Sequence, residues 1–149
     1  MKLHELLSKN QTDIINEAFY SLQRSHLKHY DSSRADENWQ RLAKLFDLTL
    51  NSVKTKSLVE MINYSETVAK ERFESGFDLH EVHTAYNVLE ESLWKNIIRE
   101  MDPASLPECL GLISTVLGTG KESLALAYVS LASKQKVKSL NLTQLFKGI

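Results

Sequence analysis

The side chains in this chain that could do chemistry are few, and most fall between Ser65 and Lys121. His80 and His83 form an HxxH pair, a spacing that sets two imidazoles on neighbouring positions of one helix. Zinc or iron would need further ligands. A di-iron bundle site would need Glu-x-x-His on two helices with more glutamates, and only the stretch around His80 and His83 comes near that pattern. These two are therefore the metal candidates; the plainer reading puts His80 in solvent and His83 at the border of the core. A lone histidine can also be an axial ligand of haem. His26, His29 and His83 are the candidates for that role, without a haem-specific motif or a CxxCH to support them.

Gly118-Thr-Gly-Lys-Glu-Ser123 has the look of a phosphate-binding loop, but the pattern fails. The position five before Gly120 is Thr115 rather than glycine, the residue after Lys121 is Glu122 rather than Ser or Thr, and no strand precedes it. A break in a helix is the simpler account. Cys109, the single cysteine, excludes an internal disulfide and a CxxC knuckle, and reads as a small core residue. No Ser-His-Asp or Cys-His arrangement can be placed, so catalysis is not expected.

Polar residues that interrupt apolar helix faces are more informative. Glu90 falls between Leu93 and His83 on a helical wheel, inside an apolar stripe. Arg72 and Ser65 fall within the stripe of the preceding helix. A carboxylate or guanidinium buried there needs a partner or a wet pocket. If the two helices pack antiparallel, Arg72 lies nearer His83 and Ser65 nearer Glu90. Two readings stand: a structural polar network, or a small ligand pocket lined by Ser65, Arg72, His83, Tyr86 and Glu90.

The elements that must hold these residues are helical throughout. Leu3, Leu6 and Leu7 mark a short first helix; Asn10 or Thr12 caps a second with Ile14, Ile15, Ala18, Phe19 and Leu22 at helical spacing, continued by His26 and His29. Tyr30 to Arg34 reads as a loop. Trp39, Leu42, Ala43, Phe46, Leu50 and Val53 form a third stripe, and Thr55 to Ser57 separates it from a fourth running from Leu58 to Phe73. Gly76 fits a helix C′ position and Asp78 with Glu81 a capping box for a long fifth helix. Asp102-Pro103 ends that helix. The last segment runs from Leu106 to Ser133, and Gly118 and Gly120 are expected to kink or split it. Trp39, Trp94, Tyr64, Tyr86 and Tyr128 read as core. The whole is an all-α compact bundle of about five to seven helices, with a domain over 1–133 and a tail or connector over 134–149.

Composition agrees. The chain has 149 residues, 42% apolar and 25% charged, with 5 Gly and 2 Pro, which suits one globular domain and argues against sandwiches and barrels. A net charge of −1 supplies no basic field, so nucleic acid is not an expected partner. No apolar run is long enough for a signal peptide or a membrane span, which makes the cytoplasm the default location.

The order LHELLSKNQTDIINEAF, a Trp39–Val53 helix, LVEMINYSETVAKERFESGFDLHEVHTAYNVLEESLW and a last helix with ALAYVSLASKQ resembles the N-terminal helical sensor domain of RsbR/RsbRD-type stressosome co-antagonists, over roughly residues 3–133. The segment Val68-Ala-Lys-Glu-Arg-Phe-Glu-Ser-Gly-Phe-Asp-Leu-His-Glu-Val82 is similar to that family's "ia-x-x-ra-x-xG-x-sl-x-ev" pattern. The resemblance implies a non-enzymatic input domain of bacterial stress signalling, globin-like or bundle in fold and often dimeric. It further implies an output module such as a STAS domain, a histidine kinase or a transcription regulator, which this sequence does not contain, and it weakens the case for haem. The alternatives are a haem- or tetrapyrrole-binding globin-like sensor and a small bundle metal protein.

Overall fold

A computed structural model describes residues 1–139, with side chains described through residue 134. Among the described residues there are seven α-helices: α1 (Leu3–Lys9), α2 (Gln11–Arg24), α3 (Lys28–Ser32), α4 (Ala35–Thr55), α5 (Val59–Glu74), α6 (Leu79–Glu100) and α7 (Leu106–Ser139), with a 3-10 turn at Pro103–Ser105 before the last. They form the all-helical bundle that the apolar spacings imply.

The stripes become the core. Leu6, Leu7, Ile15, Phe46, Leu89, Leu93, Ile97 and Ile113 are fully buried, each such side chain contributing about 1.5–3 kcal/mol of transfer free energy. The packing order differs from the chain order. α2 packs chiefly on α6, and α5 packs chiefly on α7, with few contacts to the α6 that follows it. Polar ties reinforce the distant pair: the Ser92 hydroxyl donates to the Ile14 carbonyl at 2.7 Å, and Asn10 Nδ2 to Asn96 Oδ1 at 3.1 Å.

Some local expectations are revised. The segment from Tyr30 to Arg34 is not all loop, because α3 covers Lys28–Ser32. Burial of Tyr30 pins this single turn to the core, and the His29 N–H finds the Glu81 carboxylate at 2.8 Å. His26 and His29 do not continue the α2 stripe. That helix ends at Arg24, and His26 takes a left-handed conformation at φ 48°.

Nor do the glycines split the last helix, since α7 is continuous for 34 residues. At Gly120 a Cβ would come within 2.9 Å of both Met61 Sδ and the Tyr86 ring, whereas at Gly118 it would meet nothing within 4 Å. Gly120 is therefore a notch that lets α5 and α6 approach the α7 backbone, and the packing gained offsets the poor helix propensity of glycine. α7 extends to Ser139. The proposed connector residues from Leu140 to Phe146 lie outside the described residues.

Candidate functional site

The α5–α6 junction organises the site. The N–H of Phe77 donates to the Arg72 carbonyl at 2.9 Å and that of Gly76 to the Phe73 carbonyl at 3.1 Å. These are the paired bonds of a Schellman motif with Gly76 at C′, φ +87°. That motif brings the C″ residue against C3, which here sets the Arg72 guanidinium 5.7 Å from the centre of the Phe77 ring. One residue on, Asp78 opens α6, its N–H donating to Glu81 Oε1 at 3.0 Å in the capping box.

Phe77 is 7% exposed and is the hub of an aromatic and cationic cluster. The Arg41 guanidinium, from α4, also faces its ring at 5.5 Å. Tyr30 meets it edge-on at 5.1 Å, His29 stacks obliquely at 5.0 Å, and the Tyr128 hydroxyl donates to its carbonyl at 3.1 Å. Beside it lies a cavity of about 20 Å³, room for about one water molecule. Tyr30, Asn38, Arg41, Tyr64, Arg72 and Tyr86 line one part of it, and the aliphatic side chains Leu22, Leu42, Leu45, Val68, Val82 and Ala85 the rest. Burial pushes the Tyr64 phenol up to about 12 and raises those of Tyr30 and Tyr86, so all three are neutral hydrogen-bonding groups near neutral pH. Burial, followed by the charge of Arg72, lowers the pKa of Arg41.

The five residues singled out from sequence divide between two places. Ser65 and Tyr86 share a buried hydrogen bond of 2.8 Å, and Tyr86 and Arg72 line the same cavity. His83 and Glu90 lie on the α7 side of α6. There Lys121 Nζ donates to Glu90 Oε2 at 2.7 Å and to Asn87 Oδ1 at 3.1 Å. Burial, then Lys121 and His80, depress the His83 imidazole pKa. Glu90 thus has its partner in a residue read earlier only as part of a failed phosphate loop. His80 is exposed, and among the described residues no three His, Cys, Asp or Glu side chains converge as metal donors. Of the haem candidates, His26 is exposed and His29 Nδ1 sits 2.6 Å from Glu81 Oε1. Cys109 is buried, and burial raises its thiol pKa, which makes it a poor nucleophile.

Sequence reasoning overlooked Arg41, Phe77 and the second role of Glu81. Arg41 stands four before the buried Leu45 on the inward face of α4, the same signal that marked Arg72. Phe77 and Val82 occupy the N′ and N4 positions of a hydrophobic staple. Glu81 is 4% exposed and accepts from the Asp78 N–H and the His29 N–H as well as meeting the His29 ring. Burial pushes its carboxyl up, but those two N–H groups and the imidazole outweigh it and hold the pKa below the ordinary value.

No family model, curated protein or solved structure matches the chain.

Proposed function

We propose that this chain is a non-enzymatic signal-input domain of the RsbR/RsbRD type. It acts in the bacterial cytoplasm as a homodimer and passes its state through α7 to a STAS, kinase or regulator partner. The all-helical bundle and the capped α5–α6 junction, where the resembling residues concentrate, accord with this reading.

The observation that carries it is on α7. Leu126 and Val129 are 65% and 62% exposed, three residues apart on one helix face. Leu126 joins Ile62, Ala127 and Leu131, with Glu66, Lys70, Ser123 and Ser130, in lining a shallow groove between α5 and α7 of about 560 Å³. Exposed apolar side chains beside a mixed apolar and polar groove, on a helix that also crosses the core, suit a dimer seam coupled to the interior. A signal then shifts the balance between two packings of the pair, with differential affinity of a few kcal/mol sufficient to do so.

Sedimentation velocity tests the reading. A dimer is expected for the unaltered chain, and a monomer for Leu126→Asp/Val129→Asp with its helical circular dichroism retained. A unaltered chain that stays monomeric across the concentration range sinks the dimer mechanism.

A further inference from the structure

Two guanidinium groups converge at the cavity beside Phe77, and neither has a carboxylate partner inside it. The Arg72 side chain is 12% exposed and that of Arg41 26%. Their nearest carboxylates, Glu71 at 3.6 Å and Glu37 at 3.9 Å, have side chains 62% and 52% exposed and stand on the solvent side. No Asp or Glu is among the described residues lining the cavity. Arg72 Nε is buried without a hydrogen-bond acceptor among the described residues, although the Tyr30 hydroxyl stands beside that guanidinium. Arg41 Nη1 is satisfied by Asn38 Oδ1 at 3.0 Å and Ser33 Oγ at 3.3 Å, which fixes the side chain and leaves its Nη2 with only the distant Glu37.

A buried unpaired N–H on a cation is costly, and two like charges facing one ring repel. A guanidinium offers its donors in a planar fork that matches an oxyanion. The neutral phenols of Tyr30 and Tyr64 add two hydroxyl groups to the same wall.

We infer that Arg41 and Arg72 form a binding site for an oxyanion, a carboxylate or a phosphate. The ligand lies at the mouth of the cavity, where the partly exposed guanidinium groups of Arg72 and Arg41 face it. The cavity, about 20 Å³, is too small for a whole phosphate, so the anion stays at its mouth. The ligand joins α4 to the α5–α6 junction, since Arg41 belongs to the first and Arg72 and Phe77 to the second. The inference stands on this geometry alone and is independent of the signalling reading.

The test is thermal unfolding of the intact chain while sodium phosphate or sodium acetate replaces sodium chloride at constant ionic strength. A saturable rise in Tm is expected with at least one oxyanion, about 5–10 °C when the ligand stands a hundredfold above its Kd. Arg34→Met, at an exposed arginine, keeps that rise, whereas Arg41→Met and Arg72→Met lose it. A response to phosphate alone identifies a phosphate ligand, and a response to acetate alone a carboxylate. Phosphorus line broadening and acetate saturation-transfer NMR read binding on the unaltered protein, so the inference does not hang on how the variants fold. No saturable shift and no NMR signature with either anion overturns it, as does an equal shift in the arginine variants.

Discussion

Replacing Gly120 by alanine, with Gly118→Ala as its partner measurement, tests the helix crossing at the heart of the fold. Both glycines lie in the interior of α7, so alanine gains about 1 kcal/mol of helix propensity at either site. At Gly118 nothing stands within 4 Å of the new Cβ, and the gain is kept. At Gly120 the Cβ arrives 2.9 Å from Met61 Sδ and from Tyr86 Cε2. The thioether can swing within limits, being fully buried. The Tyr86 ring is 2% exposed and its hydroxyl is tied to Ser65 at 2.8 Å, so retreat breaks a buried hydrogen bond. Overpacking of this kind costs about 1–3 kcal/mol. The two variants should therefore differ by about 1–3 kcal/mol, Gly118→Ala more stable than the parent and Gly120→Ala equal to it or less stable. Thermal unfolding followed by circular dichroism should separate their midpoints by about 3–9 °C. If both midpoints rise together, the close approach of α7 to α5 and α6 is wrong.

Three further outcomes are expected. Tyr86→Phe leaves the buried Ser65 hydroxyl with only Met61 Sδ at 3.7 Å, and urea unfolding should show a loss of about 1–2 kcal/mol that Ser65→Ala in the same chain largely restores. Glu81→Gln should cost about 2 kcal/mol or more at neutral pH. Because the folded carboxyl pKa is depressed, that contribution is complete above the ordinary value of 4.5 and is lost as pH falls through the folded value, so parent and variant should converge in acid denaturation. Glu90→Leu leaves the half-buried Lys121 with only Asn87 Oδ1 and should destabilise by about 1 kcal/mol, while Glu90→Leu/Lys121→Met recovers the loss; a single variant more stable than the parent would show that the pair contributes nothing.

What was legible in the sequence is what local chemistry decides. The left-handed Gly76, the Asp78–Glu81 box and the Asp102-Pro103 stop each depend on neighbours a few residues away, and each stands where those residues place it. Arg72, Ser65 and Tyr86 were recognisable as polar intrusions because periodicity reveals which face a residue occupies. Which helix that face meets is a tertiary matter. The connection through Gly76 implies antiparallel packing of α5 with α6, whereas the most extensive contacts of α5 are with α7, which comes close at Gly120. Propensity alone makes the glycines of α7 read as breaks, and the packing at Gly120 overrides it. Arg41 went unremarked although its spacing to Leu45 carried the same signal as Arg72, and Lys121 could be paired with Glu90 only once α6 and α7 were side by side.

The union of α2 with α6 also has a consequence for how the chain is made. The Ile14–Ser92 and Asn10–Asn96 bonds close loops of 78 and 86 residues. At a synthesis rate of about 5–20 residues per second, the apolar stripe of α2 waits roughly 4–16 s on the ribosome before its partner is translated. During that interval α2 can lean chiefly on α4, with which it makes its next most extensive contacts. The first half of the nascent chain is therefore the stage most exposed to aggregation, and the emergence of α6 is the event that ends the exposure.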